Sequence, residues 1–115
     1  MLRGDVVLCQ LPMPSMRLTQ FKLRPAVVVS KNTNNRRLDD LIVAPCTSNI
    51  SRSQEPTQYL IEGAELTSAG VIVPSAVRCE ALMRIPKTMI LRVVGHLSIR
   101  AMTAVDACLK DALAL

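Results

Sequence analysis

Short apolar runs, each closed by proline, glycine or a polar cluster, recur along most of this chain and are too brief for ordinary globular helices. Asp5–Cys9 lies between Gly4 and the prolines 12 and 14. Pro25–Ser30 carries Val27, Val28 and Val29, with its proline at the start, where a strand tolerates one. Leu41–Ala44, Gln58–Ile61, Val71–Val73 and Met89–His96 have the same character, and Ala76–Met83 alternates at Val77, Cys79 and Ala81. Each reads as a strand. The period changes only after Ser98, a helix N-cap residue. Ile99, Met102, Val105, Leu109, Ala112 and Leu113 then follow at helical spacing, which predicts an amphipathic helix of about 15 residues. Between these elements, residues 10–23 and 47–57 read as long loops, 31–37 and 84–87 as polar turns, and 64–70 as a turn or short helical piece. Six or seven strands and one terminal helix predict a small, mostly antiparallel barrel or sandwich.

A length of 115 residues, half of them hydrophobic, suits one domain spanning 1–115 with a real core. No apolar run approaches the ~20 residues of a membrane span. The amino-terminal stretch lacks the long apolar region of a signal peptide, so a cytoplasmic protein is expected. Cys9, Cys46, Cys79 and Cys108 stand singly in apolar stretches. They are expected to be buried reduced thiols, and no metal site or cofactor is expected from their spacing.

A formal charge of +5 suits a polyanionic partner. Phe21 and Tyr59 are the only aromatic residues, too few for a binder that stacks bases on aromatic platforms. Gly-rich phosphate loops, nucleophile elbows and zinc-protease motifs are missing. The single histidine, His96, is expected to be structural.

Three segments place polar groups at the ends of buried runs: residues 24–30 (RPAVVVS), 44–48 (APCTS) and 74–80 (PSAVRCE). A buried Arg, Thr or Glu is costly unless paired or at work, so one site fed from three strands is expected. Arg, Thr, Ser and Glu suffice for one reaction on RNA. The ribose 2′-OH attacks its neighbouring phosphate, and the protein supplies a base, a cation for the phosphorane and an acid for the leaving oxygen. Arg24 and Arg78 suit the phosphate, Thr47 and Ser48 can donate hydrogen bonds to it, and Glu80 can serve as base if its surroundings tune it. Plainer roles stand beside these. Arg24 can pair with Asp5 or Glu80, Thr47 can cap its loop, and Arg78 with Glu80 can be a surface ion pair.

The order of R-G-D-V-V at 3–7, K-L-R-P-A-V-V-V-S at 22–30, P-C-T-S at 45–48, S-A-V-R-C-E at 75–80 and G-H-L-S at 95–98 resembles the MazF/PemK family of toxins from type II toxin–antitoxin systems. The resemblance spans nearly the whole chain, and R-P-A-V-V-x-S is its most specific part. It implies an SH3-like β-barrel with a C-terminal α-helix, a homodimer, and metal-free, cofactor-free cleavage of single-stranded RNA. It also implies a cognate antitoxin that wraps the dimer over the RNA groove. On the same ground Arg24, Thr47, Arg78 and Glu80 match the catalytic positions, with Glu80 standing where the PemK branch has Asp. No histidine lies between residues 10 and 23, where some PemK-branch members place one. RNA contacts are expected from Lys22, Ser30, Arg36, Arg37, Ser48, Asn49 and Arg52. Two other readings remain at this point: a non-catalytic gyrase-binding toxin of the same barrel superfamily, and a degenerate antitoxin-binding module.

Overall fold

The computed structural model describes residues 1–13 and 20–115. The strands are β1 (Asp5–Met13), β2 (Gln20–Val28), β3 (Asp40–Thr47), β4 (Gln58–Ile61), β5 (Ser75–Arg78), β6 (Met83–Pro86) and β7 (Ile90–His96). The helices are α1 (Asn32–Arg37), α2 (Glu65–Ala69) and α3 (Ile99–Leu113). All pairings are antiparallel, in the order β4-β5-β3-β2-β1-β7. β6 also joins β3, so two short strands share one edge of it: β6 along Asp40–Val43 and β5 along Cys46–Thr47. Among the described residues the sheet does not close by strand pairing. α2 packs against both β4 and β7 instead, filling the space between the end strands of an open barrel.

Alternation along the strands sorts the core onto two faces. Val6, Val27, Ala44, Cys46 and Val77 point to one side, where Leu97 and the α3 residues Ala101, Met102, Val105 and Cys108 cover them. Val7, Cys9, Leu11, Ala26, Val28, Leu41 and Val43 point to the other and pack with Ile85 of β6. Ser98 caps α3, its side chain accepting from the Ala101 N–H at 3.1 Å. All four cysteines are buried and unbridged. Among the described residues no helix is long and apolar enough to cross a membrane.

The structure corrects several sequence expectations. The loop expected at 10–23 is strand at both ends, β1 continuing to Met13 and β2 beginning at Gln20; residues 14–19 of that expectation lie outside the described residues. Pro12 is accommodated because β7 pairs with β1 only as far as Cys9, leaving one free edge where a missing N–H costs little. The turn expected at 31–37 contains α1, whose buried Asn35 donates to the Ser30 carbonyl. The strand expected at Val71–Val73 is irregular, with Ile72 95% exposed. It follows Gly70 in a left-handed conformation and precedes Pro74, leaving no length in which to pair. The extended run expected through Met83 is broken by a 3-10 turn at Cys79–Ala81, where the chain passes from β5 to β6. The turn expected at 84–87 is mostly β6 itself. Ile99 is 89% exposed, because it lies about 120° around the helix from Val105.

Candidate active site

β3 ends at Thr47, and consecutive side chains there face opposite ways. Thr47 and Asn49 line one cavity; Cys46 and Ser48 line another. The end of β3 is thus a wall between two recesses.

The first recess, about 350 Å³, is lined by Thr47, Asn49, Ser51, Arg52, Gln58, Arg78 and Glu80. Strand pairing assembles it. Gln58, the first residue of β4, sits opposite Arg78, the last of β5, and β5 in turn pairs with the end of β3. The 3-10 turn then swings Glu80 back over this corner. Glu80 Oε1 accepts from Gln58 Nε2 at 2.6 Å and from Arg78 Nε at 3.4 Å. Burial pushes the Glu80 carboxyl up. The hydrogen bond from Gln58, then its own backbone and Arg78, outweigh that effect and leave it below the ordinary carboxylate value. Glu80 is therefore ionised at neutral pH, an acceptor for protons and for hydrogen bonds. Thr47 Oγ1 accepts from the Asn49 N–H at 3.1 Å, and Asn49 Oδ1 from the Ser51 N–H at 3.2 Å. These side-chain turns shape the loop. They engage a Thr47 lone pair and leave its hydroxyl proton to donate.

The second recess, about 370 Å³, has walls from Leu8, Leu23, Pro25, Val94 and the segment Gly70–Val73, with Ser48 and Ser75 at its polar side. Three cations reach it: Lys22 and Arg24 from β2, and Arg92 from β7. Arg24 Nε is buried with no hydrogen-bond partner among the described residues. The two carboxylates that offered a structural role for Arg24 are engaged elsewhere: Asp5 with His96 Nδ1 at 2.7 Å, and Glu80 with Gln58 and Arg78. A buried donor without an acceptor is expensive, and an anion in this recess would satisfy it.

Of the residues expected at one site, Thr47, Asn49, Arg52, Arg78 and Glu80 share the first recess, while Lys22, Arg24 and Ser48 share the second. Ser30, Arg36 and Arg37 reach neither. Ser30 Oγ donates to Asn35 Oδ1 and accepts from the Ile42 N–H, which ties it to the α1 anchor. Arg36 and Arg37 are exposed on α1, before the start of β3. Eight strand residues, roughly 25 Å at the usual rise, separate that end from Thr47. Gln58, Ser51 and Arg92 were not anticipated; their places depend on strand partners and loop closure rather than on local pattern. Among the described residues no three His, Cys, Asp or Glu side chains gather as metal ligands would.

Residues 2–113 match the model of a family described as PemK-like, MazF-like toxin of type II toxin–antitoxin system. The chain is 28% identical over its full 115 residues to the endoribonuclease MazF of Staphylococcus saprophyticus, covering 92% of that protein. Its fold is similar to that of Mycobacterium tuberculosis toxin MazF-mt6, with a TM-score of 0.78 at 22% identity, covering 96% of this chain and 97% of that one. It is also similar to a mycobacterial endoribonuclease solved in complex with its cognate antitoxin, with a TM-score of 0.75 at 20% identity, covering 99% and 95%.

Proposed function

This chain belongs to the PemK-like, MazF-like toxins of type II toxin–antitoxin systems, and on that premise we propose that it is an endoribonuclease that cleaves single-stranded RNA without a metal ion. It acts as one toxin domain, a homodimer in the cytoplasm, held in check by a cognate antitoxin. The observation that carries the reading is the joint presence of a carboxylate, a guanidinium and a hydroxyl, Glu80, Arg78 and Thr47, in one small recess. Arg24, whose buried Nε has no hydrogen-bond partner among the described residues, faces the recess next to it.

In this reading the scissile phosphate sits at the end of β3, between the two recesses. Thr47 donates to a non-bridging oxygen, and Arg24 supplies charge to the phosphorane. Glu80 accepts the 2′-OH proton. Its low affinity for protons in the free protein makes it a weak base, but an incoming phosphate competes for Arg78 and adds negative charge nearby. Both effects raise the carboxyl toward a useful value. Arg78, released toward the departing 5′-oxygen, gives it a proton as general acid and regains one from solvent. The products are a 2′,3′-cyclic phosphate and a 5′-hydroxyl. Lys22, Arg52, Ser48 and Asn49 hold flanking nucleotides. Ser30, Arg36 and Arg37 line neither recess, and RNA contacts from them would lie beyond it, toward α1. An antitoxin that blocks it carries acidic groups for Arg24, Arg92 and Lys22, and apolar ones for the Leu23, Val71 and Ile72 wall.

The test is a cleavage map on a long unstructured RNA, made with wild type and Arg24→Ala. Discrete cuts by the wild type and their loss in the folded variant are expected. Equal cutting by both would remove Arg24 from the mechanism, and an inert wild type across several RNAs would overturn the nuclease reading.

A further inference from the structure

Gln58 is the least expected residue of the first recess. It is 8% exposed, and one end of its amide donates to Glu80 Oε1 at 2.6 Å. Only the N–H end of an amide can face a carboxylate, so the ionised Glu80 dictates which way Gln58 turns. The consequence is that Gln58 Oε1 points into protein and is buried with no hydrogen-bond partner among the described residues. Such an orphaned acceptor destabilises a fold. An apolar side chain of the same length would fill this place without it. The backbone does not need the amide, because Gln58 pairs with Arg78 through main-chain groups. What the amide does is hold one carboxylate oxygen in a fixed position.

From this we infer that Gln58 is a positioning residue for the RNA cleavage reaction, holding Glu80 Oε1 in place for it at a cost in stability. The inference rests on the nuclease reading above. Without Gln58, the only other side chain holding Glu80 among the described residues is Arg78, through a longer contact at 3.4 Å on a half-exposed side chain, beside Glu80's own backbone N–H. The carboxylate then swings with Arg78 and binds its proton more tightly, since the Gln58 hydrogen bond is the largest influence lowering it. The charged and titratable groups around Glu80 are Arg78 from β5, Arg52 from the loop, the Cys108 thiol of α3 and Cys79 on its own turn, with Asp106 of α3 acting on Cys79 behind them. Asp106 is already paired with Arg3. Both thiols are raised and stay neutral near neutral pH, so a shift in the acid range belongs to Glu80.

The experiment compares wild type, Gln58→Met, Glu80→Gln and the double variant. Gln58→Met keeps the length and removes the amide. It is expected to unfold at the wild-type temperature or above, while kcat falls about tenfold, KM moves less than twofold, and the acid limb of the pH–rate profile shifts alkaline. In the Glu80→Gln background the same change is expected to have no further effect on rate, as coupled residues require. In parallel, the Glu80 carboxyl is titrated by carbon-13 NMR in wild type and Gln58→Met, with an alkaline displacement expected in the variant. Wild-type kcat and an unmoved pH profile in Gln58→Met would overturn the inference, as would a loss of rate that persists in the Glu80→Gln background. An inert wild type would instead overturn the nuclease reading, and the NMR titration still judges the hold of Gln58 on Glu80 by itself.

Discussion

Gly95→Ala probes the contact that completes the barrel. A Cβ at Gly95 would stand 2.3 Å from the Ala69 carbonyl carbon, 2.4 Å from its oxygen and 2.5 Å from the Ser68 oxygen. Ordinary contacts need about 3.5 Å, so β7 and the end of α2 must part by roughly 1 Å. All three obstructing atoms are backbone, and no rotamer change relieves them. The apposition is reciprocal, because a Cβ at Gly70 would meet the Val94 carbonyl oxygen at 2.0 Å. Overpacking typically costs about 1–3 kcal/mol, and a backbone-on-backbone clash belongs at the upper end, about 3 kcal/mol. A domain of this size has roughly 6–17 kcal/mol in total, so the variant folds but melts about 12 °C lower, at ~4 °C per kcal/mol. Gly63→Ala is the control: its φ is +62° and nothing lies within 4 Å. It bears only left-handed strain, about 1–2 kcal/mol. Urea and thermal unfolding by circular dichroism, at one protein concentration for all variants, measure both. A loss below about 1 kcal/mol for Gly95→Ala, or a smaller loss than for Gly63→Ala, would refute the claim that α2 locks directly onto the β7 backbone.

Three further outcomes are expected. Ser98→Ala removes the cap on α3 and should cost about 1 kcal/mol in urea unfolding; no change would mean that the tertiary contacts of α3 hold its first turn unaided. Because the folded-state pKa of Glu80 is lowered, ionised Glu80 contributes stability that is full above its ordinary value of 4.5 and is lost as pH falls through the lower folded value. Glu80→Gln should therefore flatten the stability–pH curve in that acid window and leave its slope at neutral pH alone. Burial pushes Cys9 up to about 11, and Cys46 and Cys79 to about 12, so these thiols should react with an aromatic disulfide reagent only on unfolding. Rapid labelling of the native protein would contradict their placement in the core.

What was legible in the sequence follows from which forces are local. The α3 helix could be read closely because Ser98 and the spacing of Met102, Val105 and Leu109 are local signals of capping and burial. Val27, Val28 and Leu41–Ala44 were readable as strands for the same reason. Val71–Val73 has strand composition, yet a strand also needs a partner, and among the described residues none pairs with it. The ends of β1 and β2 carry prolines and polar residues that read as loop; pairing between the two strands overrides that preference. For the candidate site, the residue types at Arg24, Thr47, Arg78 and Glu80 were visible, but not their division between two recesses on either side of β3. Arg36 and Arg37 drew attention through charge, which carries no position. Gln58 was invisible because its significance lies wholly in being opposite Arg78 and within reach of Glu80.

The most direct test of the nuclease account uses an RNA containing one mapped cleavage site, made with either ribose or 2′-deoxyribose at the nucleotide whose 2′-OH would attack, with chelator present throughout. The account predicts cleavage of the all-ribose strand to a 2′,3′-cyclic phosphate and a 5′-hydroxyl, and an intact deoxy-substituted strand. Cleavage of the deoxy-substituted strand at the same bond, or an absolute need for added divalent metal, would contradict it.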